Sequence, residues 1–389
     1  MNKPGLVAML LVGCALTIGG LGCGQAGAST NPTGTAPPGL TTTVTIPATT
    51  STTTPPPTHW TKSDLSPEPS ARAYPAMACD PDSGKVYLFG GVSGEEPHRH
   101  YYSDLWVFDP ASRRWTELHP AGDVPSAREG HAMVYDPSTS RVLLFGGGSA
   151  GGHPLGDLWA YDAASNTWTA LHPAGDAPAA RSLPSLVYDS RNGKILLFGG
   201  DPDTMVNVDE QPSHAALNDL WSYDPVINGW TESRPAGDLP FDRSAAGLAY
   251  DPAADKLILF GGAQGNTTEL TPMDDLWSYD LAAGTWSRLH PAGDVPTARS
   301  FSALVYDPVC GLSILFGGVT DDVDLPYPET LWAYDSAANS WMKLAPAGRF
   351  PYGRQGHALV YDAQIGGMVM FGGFSGPQGY LSGTWTLTP

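Results

Sequence analysis

One arginine recurs at the same place in six successive stretches of the chain, at Arg72, Arg128, Arg181, Arg243, Arg299 and Arg354. A guanidinium stays charged and presents a planar fork of donors that grips a carboxylate or phosphate with two parallel hydrogen bonds. Six of them at equivalent positions make a candidate anion-binding ring, and Arg349 and His357 add to it beside Arg354. The competing chemistry is internal pairing. Asp123, Asp176, Asp238 and Asp294 each stand five residues before their arginine, Glu68 lies near Arg72, and Arg349 replaces the aspartate before Arg354. Both readings stay open, and the Arg354 side is expected to receive anions best.

Two other clusters carry potential chemistry. Asp201, Asp203, Asp209, Glu210 and His214 lie in one stretch, and a hard cation such as calcium takes several oxygen ligands. They lack the spacing of an EF-hand loop, so a solvated acidic loop is the favoured reading and no cofactor is expected. Glu95, Glu96, His98 and His100 form a second, unrepeated cluster of ligating side chains. No H-E-x-x-H or phosphate-loop motif is present, and no catalytic residue is assigned.

The elements that position these residues form an internal repeat, whose period decides the fold. From each arginine a Phe-Gly-Gly begins 17 residues on, at Phe89, Phe145, Phe198, Phe260, Phe316 and Phe371. Five copies then carry a Leu-Trp, and a second Trp follows 9 residues after the first: Trp115, Trp168, Trp230, Trp286 and Trp341. Only the segment between the glycine pair and the residue before the Leu-Trp changes length, from 9 to 18 residues. Each unit holds four short runs rich in β-branched and aromatic residues; in the second copy these are 131–135, 141–145, 158–161 and 168–171. Asp-Pro pairs supply the turns. Val142, Leu143, Leu144 and Phe145 are apolar without alternation, which suits a sheet covered on both faces. Alternating the strands puts the variable loop and the segment before the arginine on one face. Confining variation to one loop class on a rigid frame is the pattern of a binding face.

A glycine pair followed by spaced aromatics, as in Phe145-Gly146-Gly147, Trp159, Tyr161 and Trp168, resembles the kelch repeat. The G-x-x-P-x-x-R element (Gly122–Arg128, Gly175–Arg181, Gly348–Arg354) resembles the longer-repeat branch of that family, here of an exported, bacterial type. The resemblance covers residues 59–389 and implies an all-β, six-bladed propeller of four-stranded antiparallel blades. It also implies that the six arginines ring the channel mouth, where kelch adaptors receive acidic peptides. Copy six has no second Trp, whereas Trp60 precedes Arg72 by 12 residues, close to the 13 of the other copies. The N-terminal strand is therefore expected to complete the last blade and leave no open edge. Some propellers of the family are copper-radical oxidases, which need a following domain and a Tyr–Cys cofactor. Others isomerise sialic acid, and a sugar-processing enzyme with its site at the propeller mouth is the second reading behind a protein- or glycan-binding module.

A propeller accounts for over 300 of the 389 residues as one domain. The net charge of −19 argues against nucleic acid, which it would repel. Residues 1–28 read as an export signal, with Lys3, an apolar run from Leu6 to Leu21, and small residues after it. Lipidation at Cys23, or at Cys14, competes with ordinary cleavage after Ala28. Residues 29–58 are almost entirely Thr, Pro, Ala, Gly and Ser, and read as a disordered tether. An extracytoplasmic protein, lipoprotein or secreted, follows as an expectation. So does a monomer touching the membrane only through its lipid. No disulfide is expected between Cys79 and Cys310, which fall in non-adjacent units.

Overall fold

The computed structural model describes residues 56–95, 98–202, 216–266 and 269–389. They form six blades of four antiparallel strands, and the short strand Ala347–Gly348 adds in parallel to the outer edge of the last. The innermost strands are Ala76–Cys79, Ala132–Asp136, Ser185–Asp189, Gly247–Asp251, Ala303–Asp307 and Ala358–Asp362, and each touches the next in a closed circle. Blade two runs outward from Ala132–Asp136 through Arg141–Phe145 and Leu158–Asp162 to Thr167–Leu171, within a residue of the sequence-based runs. The last blade takes its outer strand from the N-terminal side: His59–Ser63 pairs antiparallel with Thr384–Thr388, Trp60 opposite Leu387. The closure expected from Trp60 is thus the closure found. Among the described residues no helix is long and apolar enough to cross a membrane.

Blades are cemented by one aromatic contact repeated six times. The outer-strand Trp of each blade meets the Phe of the preceding blade's Phe-Gly-Gly. Trp168 meets Phe89, Trp230 meets Phe145, Trp286 meets Phe198 and Trp341 meets Phe260, with ring centroids 5.2–5.5 Å apart. Trp115 closes the circle on Phe371, and Trp60 supplies the sixth contact on Phe316. Each such ring brings a large buried apolar area plus an edge-to-face or tilted stacking geometry.

The glycine pair serves the same junction. A Cβ on the first glycine would lie 2.5–2.7 Å from the carbonyl oxygen of the following blade's arginine, as at Gly146 against Arg181. The second glycine, at φ of about 100°, donates its N–H to that same oxygen, as Gly147 does at 2.9 Å. Only glycine combines that backbone with so close an approach.

The channel is sealed on this face by a circle of backbone hydrogen bonds. The residue two past each arginine has positive φ, and its N–H donates to the carbonyl of its counterpart one blade back. Gly130 bonds to Tyr74, Leu183 to Gly130, Ala245 to Leu183, Phe301 to Ala245, Gly356 to Phe301 and Tyr74 to Gly356, at 2.7–3.2 Å. Four of the six are not glycine, and the circle of bonds offsets the strain of their left-handed backbone.

Candidate functional site

Each arginine begins on the innermost strand's approach and is 0–1% exposed. Its Nε donates to the carbonyl two residues back and its Nη1 to the carbonyl of the first glycine of its own Phe-Gly-Gly, 18 residues on. Since that glycine ends the second strand, the guanidinium runs outward over its own blade and away from the channel axis. The mouth itself is lined by Tyr74, Leu183, Phe301, His131 and His357, around a cavity of about 170 Å³.

In blades one to four the outward edge of the guanidinium meets an aspartate immediately before the Leu-Trp. Arg72 holds Asp104, Arg128 holds Asp157, Arg181 holds Asp219 and Arg243 holds Asp275. All are bidentate at 2.6–2.8 Å. The indole N–H of the following Trp donates to the same carboxylate at 2.6–2.7 Å. Burial raises the carboxyls of Asp157 and Asp275, but the guanidinium's hydrogen bonds and charge outweigh it and hold both below the usual range. The counter-charge is therefore not Asp123, Asp176, Asp238 or Asp294, the aspartates five residues back. The sequence carried a signal for the real partners, the repeated Asp-Leu-Trp at 104–106, 157–159, 219–221 and 275–277.

Blades five and six depart from this. Thr330 stands before Leu331-Trp332, and Arg299 reaches only its hydroxyl, at 3.5 Å, while the Trp332 indole N–H has no partner. Burial pushes Arg299 down to about 10. In blade six the position is Gly383, at φ +94°. A Cβ there would meet Cε of Lys62 at 2.8 Å. Burial pushes Arg354 down to about 10 against a small opposing effect of Glu329, which leaves it charged at neutral pH. Arg354 lines a cavity of about 310 Å³ together with Lys62, Arg349, Tyr352, Tyr380 and Trp385.

His357, expected beside Arg354, belongs instead to the channel side. It is 7% exposed, its ring edge meets Phe316, and both nitrogens lack partners. Burial, then the charge of Arg354, pushes it down to about 3, so it is neutral and adds no positive charge to the cavity. Of the acidic loop, Asp203, Asp209, Glu210 and His214 lie outside the described residues, while Asp201 is buried and its backbone bridges Ser182. In the first loop Glu96 is outside the described residues and His100 packs its ring against Tyr102. No cluster of three metal-ligating side chains occurs among the described residues. Cys79 and Cys310 are free thiols; Cys14 and Cys23 lie outside the described residues.

Comparison with known proteins agrees with this geometry. Residues 77–311, more than half of the chain, match the KLHDC2/KLHL20/DRC7 Kelch-repeats domain. The chain is 28% identical over 313 residues to human Kelch domain-containing protein 3, covering 75% of each. It is 26% identical over 332 residues to Acyl-CoA-binding domain-containing protein 4 of Arabidopsis thaliana, covering 82% of this chain and 45% of that one. A third relative, Multiple epidermal growth factor-like domains protein 8 of mouse, is 25% identical over 277 residues, 68% of this chain and 9% of its own length. With six in-register repeats, a closed circle of four-stranded blades and these matches, the chain belongs to the kelch-repeat family.

Proposed function

We propose that this kelch propeller is an exported binding module that takes a protein ligand on the face of its variable loops. The observation that carries this is where large apolar side chains stay in solvent. Among the described residues, seven of the eleven exposed large hydrophobics lie on the loop face, including Phe241, Val323, Leu325 and Tyr352, at 52–68% exposure. Aromatic and aliphatic groups presented on rigid scaffolding are what a protein interface uses. Membership of the kelch-repeat family agrees with a protein-binding role. Residues 1–28 supply export, lipid on Cys23 the anchor, and residues 29–58 the tether that holds the propeller off the surface.

Two experiments test this. A photo-crosslinking residue at Phe241 or Leu325 is expected to give protein adducts on intact cells, whereas one at Val226, on the opposite face, gives none. Equal adducts from both faces, or capture of glycans alone, would overturn it. For the anchor, Cys23→Ala is expected to abolish labelling by palmitate and move the protein out of the membrane fraction. Labelling that survives would assign the lipid elsewhere.

A further inference from the structure

The channel has a second mouth, on the face away from the variable loops, and it opens into an apolar well. The circle of backbone hydrogen bonds through Tyr74 and Gly356 closes the loop-face end, so the well has one entrance. Its cavity of about 430 Å³ is lined by the innermost strands and the residues just after them, with no Asp, Glu, Lys, Arg or His in the wall. From Met133 to Pro137 that lining runs about 13 Å at a strand's rise of about 3.3 Å per residue. Val134, Val187, Val305 and Val360 line it and stay only half-buried, although they lie at the centre of the molecule. A concave, mostly apolar surface left uncovered is what a small-molecule pocket offers. An apolar cavity of about 150 Å³ suffices for benzene, so the room here is ample for a longer molecule. The mouth carries one sign of charge. Asp80, Asp136, Asp189, Asp251, Asp307 and Asp362 end or directly follow the innermost strands, and each accepts the N–H of the residue two further on, at 2.8–3.1 Å. Among the described residues none of the six is in an ion pair, and no three metal-ligating side chains converge.

We propose that this well binds an organic cation: a slim aliphatic chain lies along the channel, and its ammonium head sits at the rim in the field of the six aspartates. The site is separate from the loop face and does not depend on what those loops bind. A cation is favoured over an anion because a mouth ringed by charges of one sign concentrates the opposite sign. An ammonium is favoured over a metal ion because the carboxylates are already engaged by their own turns. Asp136, Asp189, Asp251, Asp307 and Asp362 are 0–2% exposed, so they act through their field and not as ligands. A chain is favoured over a ring system because each innermost strand pairs on one edge only. The peptide groups of the free edge need water beside them, and a ligand that filled the whole cross-section would strip it. The tyrosines at the mouth turn their hydroxyls aside: Tyr250 donates to Asp255 at 2.8 Å, while Tyr135 and Tyr306 bond to Asp80 and Asp251. Their rings remain as the collar through which the chain passes.

The probe is n-octylammonium chloride, titrated calorimetrically into the purified chain at low ionic strength and below the concentration at which the probe forms micelles. Its comparisons are n-butylammonium, n-octanol and octanoate. Octylammonium is expected to bind saturably, with each methylene beyond butylammonium tightening binding about three- to fourfold. Octanol is expected to bind about tenfold more weakly than octylammonium, and octanoate more weakly still. Raising salt to physiological strength is expected to weaken octylammonium and leave octanol unchanged. Val187→Thr/Val360→Thr puts two hydroxyls in the wall at nearly unchanged shape and is expected to weaken octylammonium about tenfold, its melting profile checking that it folds. Val226→Thr, 82% exposed and outside the well, is expected to leave binding within about twofold. Absence of octylammonium binding would overturn the site. So would octanoate or butylammonium binding as tightly as octylammonium, or unchanged binding in the folded double variant. Should the double variant fail to fold, the ranking of the four probes on the unaltered chain decides alone.

Discussion

Blades one to four and blades five and six present the same buried arginine in the same backbone setting, yet only the first four complete it with an aspartate and an indole N–H. In blades one to four a fully buried charge is matched by a bidentate carboxylate, and every polar atom of the trio has work. In blades five and six Thr330 and Gly383 take the aspartate's place, and the arginine keeps only carbonyl and hydroxyl partners. The other mouth of the channel shows a related interruption. Five innermost strands carry a tyrosine near their end, and blade one carries Cys79. The departures gather on the side where the two ends of the propeller meet. A repeat keeps its side chains where each blade needs them to hold the next, and it can vary where something else supplies the contact.

The largest test removes the carboxylate where it is most enclosed. Asp275 is 8% exposed and Arg243 is 0% exposed, so Asp275→Ala leaves a buried guanidinium with no counter-charge. Breaking one side of such a pair costs about 3–5 kcal/mol, because the remaining charge stays out of water. Thr330→Ala in blade five is expected to cost less than about 1 kcal/mol, since only a 3.5 Å contact is lost. Chemical denaturation of both variants checks the contrast. Equal costs would mean that the aspartates do not hold the arginines in the way that four identical geometries imply.

How much of this was legible beforehand depends on whether the partner lay inside the rigid part of the repeat. The fold was legible because arginine, Phe-Gly-Gly and both tryptophans keep constant spacing, and the offset of Trp60 revealed the closure. The arginine's partner was missed because it lies 29 to 38 residues away, across the one loop that varies in length. A constant offset of five residues drew attention to Asp123 and its equivalents instead. The sealing circle of hydrogen bonds was also hidden. It is made by backbone, and its left-handed positions carry Tyr74, Leu183, Ala245 and Phe301, which give no glycine signal.

The comparison is sharpened by converting one class of blade into the other. Thr330→Asp gives blade five the Asp-Leu-Trp of blades one to four and offers Arg299 a carboxylate and Trp332 an acceptor. A charge-assisted pair at a half-buried position is expected to raise stability by about 1–2 kcal/mol, partly offset by the neighbouring Glu329. The same change at Gly383 is not equivalent. Its φ of +94° and the nearby Lys62 Cε oppose any side chain. A rise in melting temperature for Thr330→Asp, with none for Gly383→Asp, is the expected result. Destabilisation by Thr330→Asp would show that blade five has been rebuilt beyond that one residue.

The smallest effect is expected at the opposite mouth, where the gap in the tyrosine series leaves a measurable trace on an acid. An aspartate ends each innermost strand, or in blade one directly follows it, near the tyrosine of the following blade; Tyr135 and Asp80, Tyr250 and Asp189, and Tyr306 and Asp251 are hydrogen-bonded in this way. Asp362 faces Cys79 instead, is 0% exposed, and has one carboxylate oxygen with no partner. Burial raises its carboxyl above the ordinary value despite hydrogen bonds from the Gln364 and Ile365 backbone. A carboxyl raised on folding binds protons more tightly in the folded protein. It therefore costs stability as pH climbs from its unfolded value through its folded one, and costs nothing below both. Cys79→Tyr places a phenol against that oxygen, in a mouth whose cavity of about 430 Å³ has room for the ring. The expected gain is about 1 kcal/mol at pH 7, falling towards zero near pH 3, where Asp362 is protonated in both states. Cys79→Phe brings the same ring without the hydroxyl and is expected to show no such pH dependence. Denaturation midpoints of the two variants at pH 7 and pH 3 separate hydrogen bonding from packing. A gain shared by Phe and Tyr at both pH values would assign the whole effect to filling the mouth, and the orphan oxygen of Asp362 would then carry no cost.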